Sequence, residues 1–577
     1  MKYLVFSSFL LISFSAFAQD ASFVLQKKPN TDPANRAAKW SDVPADAYVS
    51  FAGSDTRFSQ LLPPDIKLKN QWKTTAWKGE KVHTQIVLWA KKKIDNISIQ
   101  LDDLKDNSDN TITKANITSG FLEYVITDEF RDGCGYRKPT DFDSSLVADI
   151  INTKMTLAKL DENTTLPIWL SIKIPATAKA GQYTGNVTIN AGTKFQLQVV
   201  VEVINRALPS PDKWKYQLDL WQHPAAIARV HNVPLWNDAH FTAMKQYYTM
   251  LANAGQKIIT ASIVNEPWGH QTYDDYPSLV KWTKKKNGGW SYDYSLFDKY
   301  VSFVMSCGIK ARINCYSMVP WKIAFTYYDD ASQKEAVFTE GIGTHGYNAF
   351  WTPMLKDFTA HLKEKNWFGI TAIAMDERPM PAMQSVIKLL KTIDKNWKIS
   401  LAGNYHPEIE NDIFDYCIAS NLRFPDDVLQ KRTRQGKEST WYTCCSEKYP
   451  NGFTFSPPDE HVWIGWYTAA TQMDGYLRWA FNSWTEKPLV DSRFRAWPAG
   501  DTYQVYPGPI SSIRFEKLIE GIQDFEKINL LKTEYKRNNE INKLKQLEAT
   551  LQGFTIAKLA TVTAAEMVAK AKHVINK

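Results

Sequence analysis

The sequence predicts a multidomain fold of α and β elements, an N-terminal antiparallel β-sandwich followed by a (β/α)8 TIM barrel with extra C-terminal helices. Three observations carry this. Up to about residue 205 only short strand-like runs occur, separated by turn residues; Arg206-Ala207-Leu208-Pro209-Ser210-Pro211-Asp212 then makes a Pro-rich break; beyond it, strand-like runs alternate with long helical patterns. The expected boundaries are 19–205 for the sandwich, 206–214 for the linker, 215–535 for the barrel and 536–577 for the C-terminal helices.

The chain begins with Met1-Lys2, an apolar run from Tyr3 to Phe14 and the small-residue pattern Ala16-Phe17-Ala18. This is the layout of a cleavable export signal over residues 1–18 and predicts a periplasmic or extracellular protein. The first cysteine is Cys134, so no lipid anchor is expected at the cleavage point. No later stretch reaches the roughly 18 apolar residues of a spanning helix, and no transmembrane segment is expected.

In the sandwich region the strand-like runs include 85–90, 166–172, 183–189 and 195–201, all rich in β-branched or aromatic residues. After the linker eight parallel strands are expected: Tyr216–Trp221, Lys257–Val264, Lys310–Tyr316, Ile370–Asp376, Lys398–Ala402, Tyr416–Ala419, Ser439–Cys444 and Gly475–Trp484. Eight is the number that closes a barrel. An open doubly wound sheet would call for a Gly-rich phosphate loop, which the sequence lacks. Gly255, Gly308, Gly436 and Gly475 follow helical stretches and are read as left-handed helix stops. Past Pro507-Gly508-Pro509, the residues Ile513, Leu518, Ile519, Ile522, Phe525 and Ile528 keep a helical period and predict the eighth barrel helix. Amphipathic helices from about Ile541 onward should pack on the body.

Composition narrows the function. A net charge of +8 without a long basic block gives no support for nucleic acid binding, and Lys284-Lys285-Lys286 is read as a solvated loop. Six cysteines in 577 residues make no disulfide framework, and there is no CxxC pair or HExxH helix. No metal and no cofactor are therefore expected. The 21 tryptophans and 26 tyrosines suit either a large core or stacking on the apolar faces of sugars.

In a (β/α)8 barrel, reactive groups gather at the C-terminal strand ends. The sharpest candidate is Ala374-Met375-Asp376-Glu377-Arg378-Pro379, where an apolar strand ends in two carboxylates. Asp128-Glu129, Asp161-Glu162 and Asp459-Glu460 have the same dipeptide but are read as turn or helix-start acids. A conventional retaining glycosidase holds its two carboxylates about 5–5.5 Å apart across the scissile bond, and neighbours on one strand are poorly placed for that. They can divide the work differently: Glu377 protonates the leaving oxygen, while Asp376 steadies a 2-acetamido group whose carbonyl oxygen attacks the anomeric carbon. A tethered nucleophile of this kind reaches an effective molarity of about 10⁵ M or more.

A second acid candidate is Glu266 in Asn265-Glu266-Pro267. Its motif matches conventional retaining enzymes, but Thr440 to Cys445 on the seventh strand offers no nucleophilic carboxylate. Glu266 is instead read as a contact lining the cleft. Other strand ends offer Asp219, Trp221, His223, Arg312, Asn314 and Asn404. The expected substrate contacts are Asn265, Tyr316, Tyr405, His406, Trp441, Tyr442, Trp479, Asn482 and Trp484, with Tyr442 as partner of the acetamido oxygen.

Taken together, the order of signal, sandwich and barrel resembles glycoside hydrolase family 123. The residues that carry the likeness are 374–379, Asn265-Glu266-Pro267-Trp268-Gly269-His270, and the late segment 506–509 with 512–524. The resemblance spans nearly the whole chain after the signal. It implies a β-N-acetylgalactosaminidase with a substrate-assisted mechanism, Asp376 assisting the acetamido group and Glu377 acting as acid/base, on a glycan or glycolipid carrying terminal N-acetylgalactosamine. Two alternatives stand beside it: a non-catalytic glycan-binding protein on an enzyme-like fold, and a conventional retaining β-glycosidase using Glu266.

Overall fold

The computed structural model describes residues 33–43, 47–130, 133–135, 145–494 and 496–576. The expected export signal, residues 1–18, lies outside them.

Two β-sheets form the N-terminal part. One has the order Ala47–Ala52, Lys81–Ala90, Thr164–Lys173, Ile117–Thr127, Ser145–Asn152 and Ser511–Ser512; the other runs Gln71–Lys78, Thr193–Ala207, Gly181–Ala191, Ile94–Leu101 and Ala158–Leu160. Phe51, Ile86, Leu88, Ile168 and Leu170 of the first share a core with Val187, Ile189, Val199 and Val201 of the second. Side chains alternate across a strand with period two, which is why Leu197, Val199, Val201 and Val203 are buried while Gln196, Gln198 and Glu202 face water. The expectation of a wholly antiparallel sandwich is corrected at one pair: Gln71–Lys78 runs parallel to Thr193–Ala207. Parallel neighbours need a long crossover, and here the chain supplies it by passing through the opposite sheet.

The second part is a barrel-like sheet of eight parallel strands, labelled β1 (Gln217–Leu220), β2 (Ile258–Ser262), β3 (Arg312–Tyr316), β4 (Thr371–Met375), β5 (Lys398–Gly403), β6 (Asp415–Ala419), β7 (Glu438–Tyr442) and β8 (Gly475–Arg478). Pairing follows chain order from β2 to β8, and β8 pairs with β1. Between β1 and β2 the ladder shrinks to one bridge, Leu218 with Gln256, where the Gln256 side chain accepts from Leu220 N at 2.9 Å and donates to Ile258 O at 2.8 Å.

The expected alternation of strand and helix fails once. Residues 404–414, between β5 and β6, contain no helix, because so short a crossover cannot hold a helix and two loops. The other strands are followed by helices, among them Asp238–Asn253, His345–Glu364, Met380–Ile393 and, after β8, Ile513–Arg537. An unexpected sheet is inserted after β2 and β3: Trp290–Asp293, Lys281–Lys284, Phe325–Asp329 and Lys334–Phe338, in that order. Lys284 ends one of its strands and Lys285-Lys286 enter the hairpin tip.

Gly255, Gly308 and Gly436 have φ of +88°, +110° and +65°, as left-handed helix stops require. Gly475 is corrected: it opens β8, and a Cβ there would stand 2.0 Å from Gln217 O, so the glycine lets β1 and β8 approach.

The two parts are joined closely. Ser511–Ser512, just before the last barrel helix, pairs with Ile151 and Ile150. Asp149 is fully buried and receives Arg514 Nε at 2.9 Å, Tyr506 Oη at 2.7 Å and Arg57 Nη1 at 3.1 Å. The C-terminal helices Ile541–Gln552 and Ala564–Ile575 bury Leu547, Leu551, Met567 and Val568 against the body. No helix among the described residues is long and apolar enough to cross a membrane.

Candidate active site

A cavity of about 300 Å³ opens at the C-terminal ends of the barrel strands, lined by Asp376, Glu377, Tyr442, Trp479 and a wall of further aromatic and sulfur-bearing side chains. Strand β4 stops at Met375. Past it the strict two-residue alternation no longer applies, and both carboxylates face the one cavity.

The two acids meet different surroundings. Trp321 Nε1 donates to Asp376 Oδ2 at 2.8 Å, and the Arg378 guanidinium lies 5.0 Å from the centre of the Trp321 ring. Withdrawal from water pushes the Asp376 carboxyl up to about 6, opposed by the Trp321 hydrogen bond and the Arg378 charge. On the other side, the Tyr442 hydroxyl donates to Glu377 Oε1. Burial and the neighbouring Glu377 carboxylate drive the Tyr442 phenol far above its ordinary range, so it stays a donor.

Trp221 and Trp268 line the cavity and, with Tyr316 behind them, form a mutual aromatic cluster with ring centres 4.8–4.9 Å apart. Trp268 reaches it through the loop after β2. Glu266 holds that loop: its carboxylate accepts from the backbone of Tyr276 and from His270 N at 2.9 Å. Glu266 is therefore a loop clamp, and it is not among the residues lining the cavity.

Of the expected contacts, Tyr442 and Trp479 line the cavity, and Tyr316 packs beneath it. Asn265 is exposed and accepts from Ser278 N at 2.7 Å. Tyr405 packs on Phe424 and Tyr416, the His406 backbone donates to the Tyr416 hydroxyl, and neither residue is among those lining the cavity. Asn482 is buried and holds the His223 backbone in both directions, at 2.8 and 2.9 Å. Two tryptophans belong to the core. Trp441 donates to Thr468 Oγ1 at 2.8 Å, because next to inward Tyr442 it must face outward. Trp484 donates to Val505 O at 2.6 Å, because β8 ends at Arg478 and the expected strand to 484 overran it.

Arg312 and Asn314 are corrected as strand-end candidates: they lie in the barrel interior. Arg312 pairs with Asp415 at 3.1 Å and with Glu438, and Asn314 donates to Ser400 Oγ at 3.2 Å. Beside them, burial and the Asp415 charge raise the Asp219 carboxyl to about 7.

The sequence reading missed Trp321, Trp268, Gln271 and Trp497 as cavity wall. Trp321 sits five residues past the end of β3, and an aromatic that close to a strand end was the available signal. It also missed the disulfide Cys134–Cys445, which brings the N-terminal part to the cavity with the free Cys444 beside it.

The description of the glycoside hydrolase 123 catalytic domain matches residues 221–531, and that of the glycoside hydrolase 123 N-terminal domain matches residues 51–191. The chain belongs to glycoside hydrolase family 123. A solved family 123 glycoside hydrolase from Clostridium perfringens, described in terms of glycolipid glycan hydrolysis, is 28% identical, with a TM-score of 0.83 over 92% of this chain and 97% of that one. A Bacteroides ovatus GH5 xyloglucanase (8% identity, TM-score 0.27, 78% and 98% covered) and an endo-β1,6-glucanase (10%, 0.34, 54% and 76%) are too distant to carry an argument. None of the curated proteins compared with the chain matches it. As in other glycosidases, the family 123 cavity must supply an acid for the leaving oxygen and a means of stabilising the sugar cation.

Proposed function

We propose that this family 123 enzyme removes β-linked N-acetylgalactosamine from glycans or glycoconjugates, with retention, using the substrate's own 2-acetamido oxygen as nucleophile. The observation that carries the reading is that adjacent Asp376 and Glu377 are the carboxylates among the lining residues of the cavity. A conventional double displacement needs a carboxylate on each side of the sugar, from separate positions. In the proposed reaction Asp376, ionised above pH about 6, accepts the acetamido N–H and stabilises the charge that develops as the carbonyl oxygen attacks. Glu377, steadied by Tyr442, gives its proton to the leaving oxygen and then takes one from the water that opens the cyclic intermediate. The aromatic floor of Trp221 and Trp268 offers faces for the C–H surface of the sugar.

The galacto preference and the glycolipid class of substrate draw their support from the family 123 likeness. Export is supported by the N-terminal pattern and by the Cys134–Cys445 bond, which suits an oxidising compartment. The experiment is hydrolysis of aryl β-glycosides by the purified chain. Cleavage of the N-acetylgalactosaminide but not the plain galactoside is expected; cleavage of the galactoside would overturn substrate assistance, and no cleavage of any would favour a glycan-binding protein.

A further inference from the structure

The two acids divide the cavity into two halves. Asp376 is held from the side of the loop after β3, through Trp321, whose backbone N–H also ties to Pro267 O at 2.9 Å in the loop after β2. Glu377 is held from β7, through Tyr442. Two and three residues beyond Tyr442 the same chain reaches Cys444 and Cys445, both on the cavity wall, and Cys445 is bonded to Cys134 of the N-terminal part. If Glu377 is the acid, as in the reading above on which this inference rests, its half of the cavity faces the leaving group.

The segment carrying Cys134 is built against the barrel loops rather than laid loosely over them. Ile126 pairs with Asp491, and the Thr127 and Thr454 hydroxyls meet at 2.7 Å. Phe130 stacks on Phe453 with ring centres 6.1 Å apart. Gly135 N donates to Ala496 O at 3.1 Å. Gly133 has φ +73° and lies so close to Cys445 O that a Cβ would stand 3.2 Å from it. Next to Ala496, Trp497 lines the cavity, donates to Gln271 O at 2.9 Å and meets Trp479 edge to face at 5.6 Å. An apolar rim of disulfide and indole thus stands on the cavity wall, its disulfide end continuous in sequence with the strand that carries Tyr442, the partner of Glu377.

We infer that Cys134–Cys445, with Trp497, forms the subsite for the leaving group, and that this subsite takes a second pyranose ring on its apolar face. The N-terminal part then contributes directly to substrate choice, and the covalent bond holds its portion of the rim at the distance the second ring requires.

The test compares two substrates of the full chain, a 4-nitrophenyl β-N-acetylgalactosaminide and a disaccharide with β-N-acetylgalactosamine on a second hexose. Each is assayed with the oxidised protein, with the folded protein after phosphine reduction, and with Cys134→Ser. Thiol titration counts the opened bond, and circular dichroism checks that the fold persists. For the disaccharide KM is expected to rise about three- to tenfold on loss of the bond, with kcat on the aryl glycoside within about twofold, the signature of a lost binding contact. A fall in kcat shared by both substrates, or no rise in KM for the disaccharide with the bond shown to be open, overturns the subsite. Should Cys134→Ser fail to fold, the reduced native chain decides alone. Absence of aryl glycoside cleavage by the oxidised protein instead rejects the underlying reading of the cavity as that of a β-N-acetylgalactosaminidase, a separate outcome from failure of the subsite.

Discussion

The indole nitrogen of Trp321 stands 2.8 Å from Oδ2 of Asp376, on a side chain that is 44% exposed at the cavity mouth. An N–H aimed at a carboxylate favours its ionised form, and burial opposes it. Activity that needs the Asp376 carboxylate should fall as pH drops through about 6. In Trp321→Phe the donor is gone, and the acid limb of kcat/KM should move up by about one to two pH units, since a hydrogen bond to a charged group is worth about 1.5–3 kcal/mol. An unmoved limb would separate Trp321 from the chemistry.

The two carboxylates should fail differently. Glu377→Gln is expected to cost about 10²–10⁴ in rate on poor leaving groups, the usual worth of a general acid, and much less on activated aryl glycosides. Asp376→Asn should impair both kinds, because the attack itself is affected. Full activity in Asp376→Asn would sink the substrate-assisted reading.

Asp376→Asn should also melt at a higher temperature than the parent at pH 7. In the unfolded chain the carboxyl ionises near 3.8, in the folded chain at about 6. Between these values the native state binds more protons, so its stability falls as pH rises from about 4 to 6 and stays lowered above that. The shift corresponds to at most about 3 kcal/mol, less for a side chain that keeps some contact with water. The difference between variant and parent should vanish below pH about 4, which thermal melts across pH would show.

Glu266→Gln tests the conventional alternative. The Glu266 carboxylate is engaged by two backbone N–H groups, and glutamine keeps one acceptor oxygen. We expect kcat within about tenfold of the parent and a raised KM from a loosened Trp268 loop, the pattern of lost binding rather than lost chemistry. A loss as large as that of Glu377→Gln would restore Glu266 as an acid.

Arg312→Met should destabilise the barrel by about 3–5 kcal/mol, because removing one partner leaves buried Asp415 and half-buried Glu438 without their cation. Denaturant unfolding would register it. A neutral result would mean that the pairing with Arg312 adds little to the stability of the barrel.

The eight barrel strands were legible because each is an apolar run bounded by turn residues, and the pair at 376 and 377 because carboxylates directly end one of them. What period and composition do not encode is where a strand stops pairing. Gly475–Trp484 reads as one run, yet the chain leaves the sheet after Arg478, and with it went the side assigned to Asn482 and Trp484. Trp441 was misread for the opposite reason: it is in the strand, but the choice of face between 441 and 442 depends on register, which only the neighbouring strands decide. Cys134 lay beyond reach because it comes to the site through a bond across 311 residues of sequence.

The short strand Ser511–Ser512 belongs to the first sheet of the sandwich although it follows all eight barrel strands, and Arg514, three residues later than Ser511, enters the charge cluster around Asp149. A cut at the Pro-rich break would therefore not yield two smaller proteins. One fragment would lose an edge of its sheet and bury an acid with a partner missing; the other would carry an arginine and a rim cysteine facing nothing. For anyone dividing, fusing or shuffling such chains, the smallest transferable piece of this catalyst runs from the first sheet to the last helix.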